Sequence, residues 1–271
     1  MKYTLLIPIL FLSFCSFSVA QNPFEDSEAI GRYTAGCVLN PRQLPIDGFG
    51  YQVIRTSRNR YYGHKDSIKF TERLSTKVKS NYSAKLLIAD ITKRNGGPML
   101  DDHSSHQTGL DIDILYIRKG NGNNEYFTIS EREKMSPKSL LNSSKTDVHP
   151  KKWSWINGEV LKIAANDDSV DRIFVNPAIK KDLCEKYNGQ DWLQKLRPWW
   201  GHDGHFHVRI KCPEGDTKCV SSPKLPDGTG CGSDLNWWFS KKARDEHAKK
   251  KLTSPKKKEE IKMPKECQEI L

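Results

Sequence analysis

The sequence predicts an α+β fold: one compact domain, with a small antiparallel sheet at its floor and disulfides across its loops. Three observations lead there. Residues 110–116 and 205–210 alternate apolar and polar side chains, the period of a strand with two different faces. Elsewhere Phe70, Leu74 and Val78 recur every fourth residue, the spacing of a helix with one apolar side. Setting aside Cys15 leaves six cysteines, Cys37, Cys184, Cys212, Cys219, Cys231 and Cys267, an even number that fits bridges in an oxidising compartment.

A chain of 271 residues can bury a full core, but residues 1–20 stand outside it. Lys2 supplies a charged start, residues 5–17 an apolar run, and Ser18-Val19-Ala20 a small-residue cleavage site before Gln21. That is the pattern of a secretory signal peptide, too short to span a bilayer. Phe14 precedes Cys15 where a lipoprotein signal carries a small residue, so no membrane anchor is expected. Residues 21–240 are expected to form the domain and residues 241–271 a lysine-rich tail ending near Cys267.

Along the domain, residues 21–46 read as an extended lead-in with Pro and Gly punctuation. Residues 51–56 (YQVIRT) suit a short strand, and Asp66 or Ser67 can cap a helix to about Lys79. Residues 85–91 (KLLIADI) suit a buried strand, after which Asn95-Gly96-Gly97-Pro98 breaks the chain. Residues 120–150 are polar and aperiodic, with Asp147 and His149 their one suggestive pair. A helix is expected over 155–165, with Ile156, Val160, Ile163 and Ala164 inward, then a strand over 172–176. Pro177 is placed to open a helix to about Tyr187, and Pro198 stops the next segment before the strand at 205–210. After Cys231 comes an apolar knot, Trp237-Trp238-Phe239.

The net charge of +11 does not signal nucleic acid. Residues 241–265 hold eleven Lys and Arg against four Asp and Glu, so they carry +7 of it. A nucleic-acid enzyme spreads cations and aromatics over a binding face; here they are concentrated in what reads as a solvated, flexible tail.

The chemistry gathers in two stretches. The first, residues 101–116, sets His103 and His106 in a polar turn before a strand whose Asp111 and Asp113 face away from Leu110, Ile112 and Ile114. A loop can fold His106 back over that acidic face. Imidazole and carboxylate together suit Zn²⁺, and a catalytic zinc takes three protein ligands and keeps one position open. The plain alternative is a surface loop of hydrogen-bonded polar groups. In the second stretch His205, His207 and Arg209 alternate with Phe206, Val208 and Ile210, and His202 precedes them. A lone strand histidine is ordinarily structural, and that reading suits His202 by itself. A His-x-His strand opposite a His…Asp strand points instead to a shared zinc site. Asp111 either accepts a hydrogen bond from a ligand histidine or is an exposed strand residue, while His202 or Arg209 would stabilise an oxyanion or bind a substrate carboxylate.

HSSHQTGLDIDI and WWGHDGHFHVRIKCP together resemble the signatures of the penicillin-insensitive murein endopeptidases, among the zinc peptidases that group lysostaphin-type, D-Ala-D-Ala-type and hedgehog-type folds. The resemblance runs from about residue 29 to 239, includes DGFGYQVIR and RIFVNPAIKK, and takes in all six cysteines, with Cys267 beyond that span. It implies zinc ligands His106, Asp113 and His207, a catalytic His205, a further active-site His202 and an additional metal contact at His103. His149 matches another accessory position, whereas Asp147 lies one residue closer to it than the family spacing. The implied bridges are Cys37–Cys267, Cys184–Cys231 and Cys212–Cys219. The implied activity is hydrolysis of the D-alanyl–meso-diaminopimelate cross-link of peptidoglycan in the periplasm. A D,D-carboxypeptidase or dipeptidase on the same site is the enzymatic rival, and a wall-binding protein without catalysis the non-enzymatic one.

Overall fold

A computed structural model describes residues 27–99, 104–117, 126–253 and 262–271. Its centre is a seven-stranded sheet in the order Leu196–Pro198, Val170–Val175, His205–Ile210, Asp111–Leu115, Leu86–Ile88, Tyr51–Val53, Asp47–Gly48. The acidic strand Asp111–Leu115 and the histidine strand His205–Ile210 are antiparallel neighbours in its interior. Apolar residues from both, including Ile112, Ile114, Phe206 and Val208, are buried in the main core.

The sheet is larger than the small antiparallel floor expected, and it is mixed. Tyr51–Val53 pairs parallel with Leu86–Ile88, and Leu196–Pro198 parallel with Val170–Val175. Each parallel pair is joined through a helix, Lys65–Tyr82 in the first and Pro177–Lys186 in the second. Parallel strands require such a crossover. Tyr51–Val53 and Leu86–Ile88 fall within the strands expected over 51–56 and 85–91, whereas Asp47–Gly48 and Leu196–Pro198 are too short for alternation to reveal.

The helix Lys65–Tyr82 buries Ile68, Phe70, Leu74 and Val78. Its cap is His64, whose Nδ1 accepts from the Asp66 N–H at 3.1 Å, rather than Asp66 or Ser67. Ile156–Ala165 forms a second helix; its buried Asn157 donates to the Ile117 carbonyl and accepts from the Ile117 N–H, each at 2.8 Å. The side chain thus substitutes for a strand partner where the acidic strand ends. Within the stretch read as aperiodic, Thr128 and Glu131 form a reciprocal cap on a short helix, Ile129–Glu133.

The expected lead-in contains a hairpin, Glu28–Arg32 against Ala35–Leu39. Its support is remote: the Ala29 N–H donates to Asp216 at 2.7 Å, Gly31 exchanges backbone hydrogen bonds with Lys218 and Val220, and Cys37 is bonded to Cys267. The tail also differs from a flexible belt. Lys241–Thr253 is a helix, with His247 stacked on Trp200 at 4.7 Å and Ala243 fully buried. Its Ala, Arg, Glu and Lys content favours helix whatever the charge. A last turn, Lys265–Gln268, delivers Cys267 to Cys37 with an S–S distance of 2.04 Å. Cys184–Cys231 and Cys212–Cys219 are bonded as well. Among the described residues no helix is long and apolar enough to cross a membrane.

Candidate active site

Strand register builds the site. His207 lies directly opposite Asp113, and Arg209 opposite Asp111, so all four side chains project from one face. The loop before the acidic strand then brings in His106. Its Gln-Thr-Gly turn is clamped by the hairpin: Gln107 N–H donates to the Tyr33 carbonyl at 3.2 Å, its side-chain amide to the Thr34 carbonyl at 2.7 Å, and its Oε1 accepts from Gly36. His106 adopts φ 68° and Gly109 φ 70°. A Cβ on Gly109 would lie 2.8 Å from the His64 backbone nitrogen, so only glycine permits this closure.

The result is a compact donor set. His106, Asp113 and His207 each offer a ligand atom, all within 4.8 Å of one another, and all three side chains are buried. His106 Nδ1 donates to the Ile91 carbonyl at 2.8 Å, which leaves Nε2 to face Asp113 at 3.4 Å. His207 places Nδ1 3.1 Å from Asp113 and Nε2 3.0 Å from Asp111. Two imidazoles and a carboxylate converging on one point fit a borderline divalent ion such as zinc.

Asp111 is fully buried, which removes the exposed-strand reading. It accepts a two-point contact from Arg209 (Nε 2.8 Å, Nη2 3.1 Å) and a bond from the His106 N–H at 3.0 Å. Arg209 is sandwiched between the Tyr33 and Phe174 rings, 4.0 and 5.2 Å from their centroids. It is therefore turned towards Asp111, with part of the side chain on the cleft wall. Burial alone would raise the pKa of Asp111, but Arg209 and His207 hold its carboxyl well below the usual range. The same opposition acts on Asp113, where His106 and His205 prevail. Burial disfavours a charged His106, yet Asp113 and then Asp111 outweigh it and lift its pKa to about 9.

The triad opens into a cleft of about 650 Å³. His205 lies on its wall with Nε2 3.6 Å from Asp113. His202, held at φ 50° by a backbone bond from Asn176, packs its ring 5.1 Å from that of His205 and donates Nδ1–H to the Trp200 carbonyl at 3.2 Å. Burial first, and then His207 and His205, press its pKa down to about 3, so it is neutral.

His103 falls outside the described residues. Asp147 and His149 do not line the cleft. Asp147 pairs with Lys181 at 2.6 Å and lines a separate surface pocket, and His149 Nδ1 accepts from the Lys151 N–H at 3.2 Å. The structure thus brings neither residue beside His106, Asp113 and His207. The residues that sequence patterning left out are Arg55, Phe174 and Trp199, all on the cleft wall. Arg55 ends the DGFGYQVIR stretch and Phe174 sits in RIFVN, both read only as strand.

The profile of the penicillin-insensitive murein endopeptidase family matches residues 29–271, taking in the basic C-terminal segment as well as the site. Proteins of that name from Haemophilus influenzae and Pectobacterium atrosepticum are 40% and 39% identical to this chain, over 92% and 90% of it and 85% and 84% of their own lengths. One from Klebsiella pneumoniae is 37% identical across 100% of this chain and 98% of its own. The fold, the cleft and these matches agree: the chain belongs to the penicillin-insensitive murein endopeptidase family.

Proposed function

We propose that the chain is an exported zinc D,D-endopeptidase that hydrolyses the amide between D-alanine and meso-diaminopimelate in cross-linked peptidoglycan, acting in the periplasm after loss of residues 1–20. The observation that carries the reading is the convergence of His106, Asp113 and His207 at the floor of a cleft that also holds His205 and His202. In this reading the first three are the metal ligands. Zinc there supplies Lewis acidity and a water whose pKa falls toward about 7. Asp111, fixed by Arg209, holds the His207 ring through its second nitrogen. His205 accepts the proton of the attacking water as oxygen adds to the carbonyl carbon. It returns that proton to the departing amine nitrogen as the C–N bond breaks. His202, its Nδ1 committed to Trp200, keeps Nε2 for the substrate. No serine is acylated, so β-lactams have nothing to block.

The test is incubation of the mature protein with cross-linked muropeptide dimers. Cleavage to monomers is expected, abolished by a chelator, restored by zinc and unaffected by penicillin. His106→Ala and Asp113→Ala should lose bound zinc and activity together, because two ligands hold a catalytic ion poorly. Full zinc content and turnover in either variant would remove the site assignment, and release of free D-alanine without dimer cleavage would favour a carboxypeptidase.

A further inference from the structure

The cleft wall carries one large apolar side chain that the mechanism does not use. Of the bulky apolar side chains exposed among the described residues, only Trp199 lines the cleft, and it is 55% exposed. The neighbouring Trp200 also lines the cleft, but its ring is engaged by the fold. It packs against Trp238 at 5.4 Å and stacks on His247 at 4.7 Å. Trp199 is held without being covered. Its N–H donates to the Val175 carbonyl at 2.9 Å, and its ring meets that of Phe174 at 5.7 Å, inclined by 68°.

Register sets its place along the sheet. The last pairs of the two ladders on Val170–Val175 are Pro198 with Val175 and His207 with Phe174. Continued past those pairs, both ladders arrive at Asn176, which puts Trp199 and His205 at one level. Sheet order sets its direction. The strand Val170–Val175 and then the edge strand Leu196–Pro198 lie beyond the histidine strand, on the side away from the acidic strand. Two strand spacings, about 10 Å, thus separate Trp199 from His205. The Phe174 ring fills the interval, in contact with Trp199 and 5.3 Å from the His207 ring.

The proton transfers identify which half of the substrate meets this wall. His205 returns its proton to the departing amine, so the nitrogen lies beside His205 as the C–N bond breaks. At the same level, the next exposed apolar surface beyond His205 is Trp199. On the other side of the acidic strand the wall presents Arg55 and Ala89, with no ring.

We infer that Trp199 is a specificity-determining binding residue, an apolar platform for the methylene chain of the diaminopimelyl residue that carries the scissile nitrogen. The inference rests on the D,D-endopeptidase reading, in which the departing amine belongs to a long side chain. The terminal D-alanine released by a carboxypeptidase carries only a methyl group. A rigid indole offers broad apolar contact with little loss of side-chain freedom. Laying a run of methylenes against it removes apolar surface from water on both partners. The ring therefore favours a cross-link over a free stem terminus with the same acyl half.

The test compares two ligands that share that acyl half: a cross-linked muropeptide dimer, and a stem peptide ending in D-alanyl-D-alanine. The second is read as an inhibition constant against dimer cleavage, which requires no turnover of it. On the wild type the dimer KM should lie about tenfold below that constant, the low end of what a methylene in an apolar pocket is worth. Trp199→Ala should raise the dimer KM about tenfold, more than it lowers kcat, and move the stem-peptide constant by less than about twofold. Zinc content should stay the same, and Trp199→Phe, which keeps a ring, should recover most of the loss. Equal constants for the two ligands on the wild type would overturn the inference, and that measurement needs no variant to fold. An unchanged dimer KM in Trp199→Ala would also overturn it, as would an equal rise for both ligands, which would set the indole against the shared acyl half. Cleavage of no dimer by zinc-loaded wild type would instead remove the endopeptidase reading and this inference together.

Discussion

His205 and His207 differ by two positions on one strand, yet their surroundings differ. His207 places both ring nitrogens against carboxylates, Asp113 and Asp111, whereas His205 lies farther from Asp113, at 3.6 Å, on the cleft wall. His205→Ala should therefore keep its zinc and lose turnover by about two orders of magnitude or more, the scale of general acid–base catalysis. His207→Ala should lose both. Metal analysis beside single-turnover rates checks this, and an empty site in His205→Ala would make that residue a ligand. That the two histidines share one face was legible in residue type and alternation; the division of roles between them was implied by the family resemblance. The identity of the partner opposite each histidine was not, because register between strands separated by some ninety residues is set by global pairing and not by either strand's own sequence.

At the scale of elements, legibility tracked length and locality. The helices Lys65–Tyr82, Ile156–Ala165 and Pro177–Lys186 lie close to where apolar spacing and Pro177 put them. The hairpin Glu28–Arg32 and Ala35–Leu39 was not legible, since residues near positions 216–220 and 267 hold it. The short edge strands Asp47–Gly48 and Leu196–Pro198 escaped for want of a period, and the basic helix because charge density masked good helix formers. Asn157 shows how one element fixes another. Its amide satisfies both backbone groups of Ile117, so Asn157→Ala leaves a buried donor and a buried acceptor without this partner. Stability should fall by about 2 to 3 kcal/mol, read from the urea midpoint. A change below about 0.5 kcal/mol would show that water replaces the amide at no cost.

The whole molecule is tied by Cys37–Cys267, which closes a loop across 230 residues. On the chain-entropy argument such a closure is worth about 5 kcal/mol, a ceiling that real bridges rarely reach. Cys37→Ser should lower the melting temperature while zinc content stays the same, because strand pairing sets Asp113 and His207, Ile91 holds the His106 ring, and the hairpin that clamps the turn keeps its bonds to Lys218 and Val220 without the bridge. Loss of zinc at temperatures where the variant is still folded would contradict that separation. The bridge also gives the chain the topology of a ring. A single protease cut anywhere between positions 37 and 267 opens the ring without dividing the molecule: the two fragments stay linked, one carrying Cys37 and the other Cys267. A cut between the acidic and histidine strands would put the donor set on two polypeptides, yet their reunion would remain unimolecular and independent of dilution.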